Sequence, residues 1–149
     1  MAIASFPRPV LAATAGINFG GTIGINNFCQ VVLVEGGILA QSNDQQELSS
    51  KQVGGRAGRA QITTTSGRYS VSIDTPSGFS SMPVGGDTNV SFASTYSLSG
   101  ATALAETSGN TATKLKRGLT DIVTQFIATR SIDPFPAGTY GSVLTVRCE

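Results

Sequence analysis

The sequence predicts an all-β fold, a two-layer β-sandwich. Charged residues fill only 13% of 149 positions, against about a quarter in ordinary soluble domains, and no Glu/Lys/Ala-rich stretch offers a charged helix. Short runs rich in Val, Ile, Thr and Tyr alternate apolar with polar residues and are separated by Gly, Pro and Ser clusters. Apolar residues make up 40% of the chain, enough for one domain with a real core and too many for a disordered one.

The first alternating stretch is residues 16–25 (GINFGGTIGI). Ile17, Phe19, Ile23 and Ile25 fall on every second position, with Gly21 in the middle of the row. As a strand this puts four large apolar groups on one face with a gap at the centre. Residues 28–35 (FCQVVLVE) read as a strand with Val32 and Val34 on one face and Val31 and Leu33 on the other. Apolar residues on both faces predict a central or covered strand. Residues 41–51 are polar and loop-like, and the glycines at 54, 55 and 58 form a turn. A phosphate-binding loop would need Gly-Lys-Ser/Thr and a following helix, and neither is present.

Residues 60–65 and 68–74 read as a hairpin turning at Ser66-Gly67, with Tyr69, Val71 and Ile73 alternating along its second arm. Residues 79–86 form a loop. Residues 89–97 alternate again through Val90, Phe92 and Tyr96, and 99–110 read as a mobile loop. Asn89-Val90-Ser91 matches a glycosylation acceptor, which a strand context makes accidental. Residues 113–118 read as a short edge strand. Residues 119–128 (LTDIVTQFIA) fit a helical face or a strand, and their β-branched content favours the strand. Residues 139–147 are the last strand, with Tyr140, Leu144 and Val146 inward and Val143 opposite. The total is about eight strands.

Composition also narrows function. Histidine is absent, which removes Ser-His-Asp and Cys-His catalysis and His-based zinc sites. Asp74, Asp87, Asp121 and Asp133 show no paired spacing and serve turns and caps, so enzyme activity and cofactors are not expected. Net charge is +1, and the groupings Arg56/Arg59/Arg68 and Lys114/Lys116/Arg117 read as solvated faces, so no nucleic-acid partner is expected. No apolar run reaches the roughly 18 residues of a membrane span. Cys29 and Cys148 are the only cysteines. In an exported protein they form a disulfide joining the first and last strands of the domain; in a reducing compartment they stay free thiols. Residues 1–15 end in Ala13-Thr14-Ala15, like the end of a secretory signal, and read as a signal-peptide remnant.

Three pieces together resemble the pilin-like secreted β-proteins of bacteria, which include chaperone–usher fimbrial subunits and the spore coat protein U group. They are residues 13–15 followed by 18–25 (NFGGTIGI), the Cys29 strand, and 136–146 (PAGTYGSVLTV). The resemblance implies an incomplete immunoglobulin-like sandwich over residues 28–149, completed by a neighbour's N-terminal extension, here residues 16–27. It implies that Ile17, Phe19, Ile23 and Ile25 fill groove pockets and that Gly21 sits where the groove admits no side chain. Its implied partners are like subunits in a homo-polymer, a periplasmic chaperone and an outer-membrane usher. Its implied location is the periplasm in transit, then the cell surface as a fimbria or coat. The competing expectation is a monomeric secreted adhesin or carbohydrate-binding module with residues 16–25 folded back in cis.

Overall fold

The computed structural model describes residues 20, 21 and 27–149. Among them there are ten strands and no helix: β1 (Cys29–Glu35), β2 (Ala40–Gln41), β3 (Glu47–Ser49), β4 (Gly58–Thr64), β5 (Ser70–Asp74), β6 (Val90–Gly100), β7 (Leu104–Ser108), β8 (Thr113–Lys114), β9 (Gly118–Arg130) and β10 (Thr145–Cys148). Every pairing is antiparallel, and the strands form a seven-stranded and a three-stranded sheet.

β9 is the spine of the larger sheet. Along one side it pairs first with β4 and then with β3; along the other it pairs with β6 over its length. β1 is added outside β4, β2 outside β3, and β7 outside β6. The smaller sheet runs β10-β5-β8. The stretch with mixed helix and strand periodicity is thus β9, a strand buried at every second residue from Thr120 to Ala128.

Strand alternation places Ala60 and Ile62 of β4, Tyr96 and Leu98 of β6 and Ile122 of β9 on the inner face of the larger sheet. Val71 and Ile73 of β5 meet them from the smaller sheet. Tyr96 is fully buried, and its hydroxyl donates to the Thr111 carbonyl at 2.5 Å beside Thr113 Oγ1 at 2.6 Å. The buried phenol is satisfied, and the bond ties β6 to the approach to β8. A second core of Leu48, Phe79, Phe126, Ala128 and Phe135 lies towards the other end, with Phe92 and Tyr140 against it.

Five sequence expectations need correction, the first being the last strand, which spans Thr145–Cys148 and not 139–147 because residues 142–144 pair with no described strand. Residues 60–65 and 68–74 are strands but not a hairpin: β4 pairs β1 and β9, while β5 pairs β10 and β8. The two apolar rows face each other across the core, and local alternation cannot tell face-to-face from side-by-side packing. Residues 99–110 contain β7, formed by pairing to β6 despite its exposed small residues. Residues 41–51 hold a tight hairpin, β2 to β3, with Gln45 at φ 58° in its turn. β1 is an edge strand, neither central nor, among the described residues, covered.

The disulfide Cys29–Cys148 is present, with Cα atoms 6.3 Å apart. It joins the edge strand of one sheet to the edge strand of the other, and it fits an oxidising compartment. Closing a separation of 119 residues restricts the unfolded chain by about 5 kcal/mol. Replacing both cysteines by Ser is therefore expected to lower unfolding free energy by up to about 5 kcal/mol, read from urea titration by linear extrapolation. A loss below about 1 kcal/mol would show that the clamp carries no stability.

Candidate functional site

β1 and β10 border one seam of the sandwich, and their inner faces do not close over each other. Directly opposed residues of an antiparallel pair project to the same side. Cys29, Val31 and Leu33 oppose Thr64, Ile62 and Ala60, so they point to the inner face. Ile62 is fully buried, yet Val31 is 37% and Leu33 74% exposed. The inner face of β1 has no strand of the smaller sheet across from it among the described residues, because that sheet ends at β10.

The result is a groove of about 550 Å³. One wall is Leu33 and the connection Gly36–Leu39; the other is the strap from Tyr140 to Leu144 and Val146 of β10. Ala60, Thr124 and Phe126 form the floor, together with Gly58. A Cβ on Gly58 would stand 2.8 Å from Thr124 Oγ1, so a glycine lets β4 lie against β9 here. The disulfide closes the other end of the seam.

The strap is held from outside the groove. The Tyr140 ring packs against Phe79 and Phe135 at centroid distances of 5.0 and 5.5 Å, and its hydroxyl donates to the Pro136 carbonyl at 2.6 Å. Burial pushes the Tyr140 phenol above its ordinary value. Gly141 exchanges hydrogen bonds with Ser80 and Ser81. On the outer face Arg147 donates to Asp74 at 2.6 Å and to Glu149 at 2.7 Å, pinning β10 to β5. These carboxylates hold the Arg147 guanidinium protonated, above its ordinary range.

Both walls also present backbone. Ser70 and Glu149 exchange two hydrogen bonds, of 2.6 and 3.0 Å, so in antiparallel alternation Val146 and Cys148 aim their N–H and C=O groups away from β5. Thr65 N–H donates to the Phe28 carbonyl, which by the same alternation turns the main-chain groups of Cys29, Val31 and Leu33 away from β4. Among the described residues no strand pairs with either edge. An apolar trough between two open strand edges has the chemistry to take up an extended segment: side chains into the trough, main chain onto the edges.

Of the residues singled out from sequence, Cys29 and Cys148 are brought together. Ile17, Phe19, Ile23 and Ile25 lie outside the described residues. Gly21 is described: it is exposed, and no described atom comes within 4 Å of where its Cβ would sit, nor of that of Gly20. Nothing in the sequence marks Leu33, Phe126 and Val143 as groove residues beyond the apolar excess on both faces of 31–34. No helix among the described residues is long and apolar enough to cross a membrane. A scan against protein-family models and searches of curated proteins and of solved structures find no match.

If Leu33 serves the groove and not the core, its truncation is cheap. Leu33→Ser should change unfolding free energy by under about 0.5 kcal/mol, while Ile62→Ala, on β4 opposite Val31, should cost about 3 kcal/mol. Equal losses in chemical denaturation would mean that Leu33 is already covered in the free chain.

Proposed function

We propose that this protein is a structural subunit of a bacterial surface fimbria or coat, polymerising head-to-tail as residues 16–25 of one copy enter the groove of the next. The observation that carries the reading is the inner row of β1, which faces inward and ends in a largely exposed Leu33 between two open strand edges. The apolar row Ile17, Phe19, Ile23 and Ile25 supplies what that trough lacks, and burying four such side chains contributes roughly 6–12 kcal/mol gross. Donor and acceptor are different surfaces, so the contact is heterologous and extends to a filament.

The reading also assigns the donor a direction. The donor continues through Asn27 into its own β1, so its C-terminal end stays at the open end of the groove and its N-terminal end points to the disulfide. It then runs antiparallel to β10. The resemblance to pilin-like proteins adds export through the periplasm, and a chaperone and usher as assembly partners. The disulfide is consistent with that route.

One observation favours the competing reading of a sugar-binding monomer. A polar cleft on another face gathers Ser72, Asp74, Thr75, Ser108 and Asn110. Specific retention on a glycan array, abolished by Asn110→Ala in a chain that stays monomeric, would favour it.

Two full-length variants test the polymer. Ile23→Asp should leave the acceptor intact and disable the donor; Leu33→Asp should do the reverse. Each alone is expected to stay monomeric by analytical ultracentrifugation. A mixture should give a capped two-subunit complex and nothing longer. Polymers of wild-type length from either variant alone would remove the proposed mechanism.

A further inference from the structure

This inference rests on the strand-insertion reading and concerns surfaces outside the groove. The two ends of the sandwich carry opposite charge. At the end where β9 starts, Leu115 N–H donates to the Tyr69 carbonyl and Thr64 Oγ1 donates to that of Lys116, which ties residues 64–69 to 114–118. Arg68, Lys114, Lys116 and Arg117 stand exposed there. At the end where β9 finishes, Phe135 N–H donates to the Gln45 carbonyl and Ser131 N–H to that of Asn89. The loops so joined expose Asp44, Asp87 and Asp133. Among the described residues none of these cations or carboxylates has an ion-pair partner. The contrary charges are engaged locally. Asp121 accepts from Gln61 and Glu149 pairs with Arg147 at the first end, while Arg130 donates to the Ile132 and Gly85 carbonyls at the second.

Each end also exposes apolar side chains among its charges: Phe28 and Leu119 at the basic end, Met82, Val84 and Ile132 at the acidic end. Apolar groups rimmed by charge have the composition of a protein–protein contact, and ends of opposite sign on one chain fit a second copy of that chain. Chain length brings such ends together. In the proposed filament Ile25 lies in the mouth of the acceptor groove, and Cys29 opens β1 at the basic end of the donor subunit. The four residue steps between them span at most about 14 Å. The mouth itself adjoins the acidic end: Tyr140 borders it, packs against Phe135, and stands 2.9 Å from where a Cβ on Gly86 would sit. We propose that the basic end of each subunit docks on the acidic end of the next, a second contact beside the inserted strand that steers the donor to the groove mouth. Apolar groups form its centre and the charges its rim. Opposed fields of this kind raise association rates by about 10- to 1000-fold in dilute salt and are screened as salt rises.

The test follows elongation of the full-length chain by light scattering in about 20 mM and about 500 mM salt, and the wild-type rate should fall at least about tenfold between them. A basic-end variant carries Arg68→Glu, Lys116→Glu and Arg117→Glu. An acidic-end variant carries Asp44→Asn, Asp87→Lys and Asp133→Asn. Asn keeps the acceptor that Ser42 and the Gln46 N–H use at position 44, and it tolerates the positive φ at 133. Each variant should elongate at least about tenfold more slowly than wild type in dilute salt. The chain carrying both sets should recover most of that loss, because its ends are again of opposite sign; a structural defect would not be repaired by further substitutions. A labelled peptide of residues 16–26, which has no charged side chain, should bind all of these chains with wild-type affinity by fluorescence anisotropy. Filaments whose growth is unmoved by salt and by either variant would overturn the docking contact while leaving the groove reading in place. Retention on an anionic polysaccharide that the basic-end variant loses, with elongation unmoved, would also overturn it and assign the cations to a polyanion. A wild-type chain that neither binds the peptide nor assembles would overturn both readings.

Discussion

The two sheets are unequal, seven strands against three, and this inequality governs the rest of the seam. A two-layer sandwich buries an inner face only where a strand stands opposite. β9, β4 and β6 have such partners in β5 and its neighbours, and their inner rows are buried. β1 meets the smaller sheet only at its edge strand β10, to which the disulfide ties it. Its inner row therefore grades outward from Cys29, held by the disulfide, through Val31 to the largely exposed Leu33. Among the described residues this inner row stays open, and the groove is that opening.

The disulfide makes the gap definite. Without a link, two edge strands of different sheets could close over the apolar row or drift apart. Cys29–Cys148 fixes their spacing at one end, and the aromatic packing of Tyr140 holds the strap at the other. The trough is thus bordered by elements whose positions are set by contacts outside it. In the proposed filament, preorganisation of this kind lowers the ordering cost of binding an extended segment.

Much of this was legible in the sequence because period-two alternation is a local property. The strands expected at 89–97 and 119–128 and the half-buried arm at 68–74 follow from it, and they are β6, β9 and β5. What alternation cannot carry is partner choice. Residues 60–74 look like a hairpin because two alternating arms flank Ser66-Gly67, and only the long-range pairings to β1, β9, β10 and β8 separate them. β7 escaped notice because its residues are small and exposed, and it exists through its ladder with β6. Apolar residues on both faces of 31–34 call for cover, so the sequence predicts a covered strand there. The cover is missing from the described body, and that mismatch between composition and burial marks the site.

In the proposed filament the same few residues form a load path. The donor segment runs directly through Asn27 and Phe28 into β1, and β1 is also a wall of that subunit's own acceptor groove. Tension entering along a donor strand reaches β1, where it divides. Part passes sideways into β4 through the antiparallel ladder, and part crosses the disulfide into β10, the other wall of the groove. The ladder hydrogen bonds lie perpendicular to the pull and are loaded together in shear, so no single bond has to give first. The covalent crossing keeps the two walls from being levered apart while the next subunit's donor is held between them. An end-to-end cysteine pair, unremarkable as a loop staple, thus sits at the one place where pulling on the donor would otherwise open the acceptor.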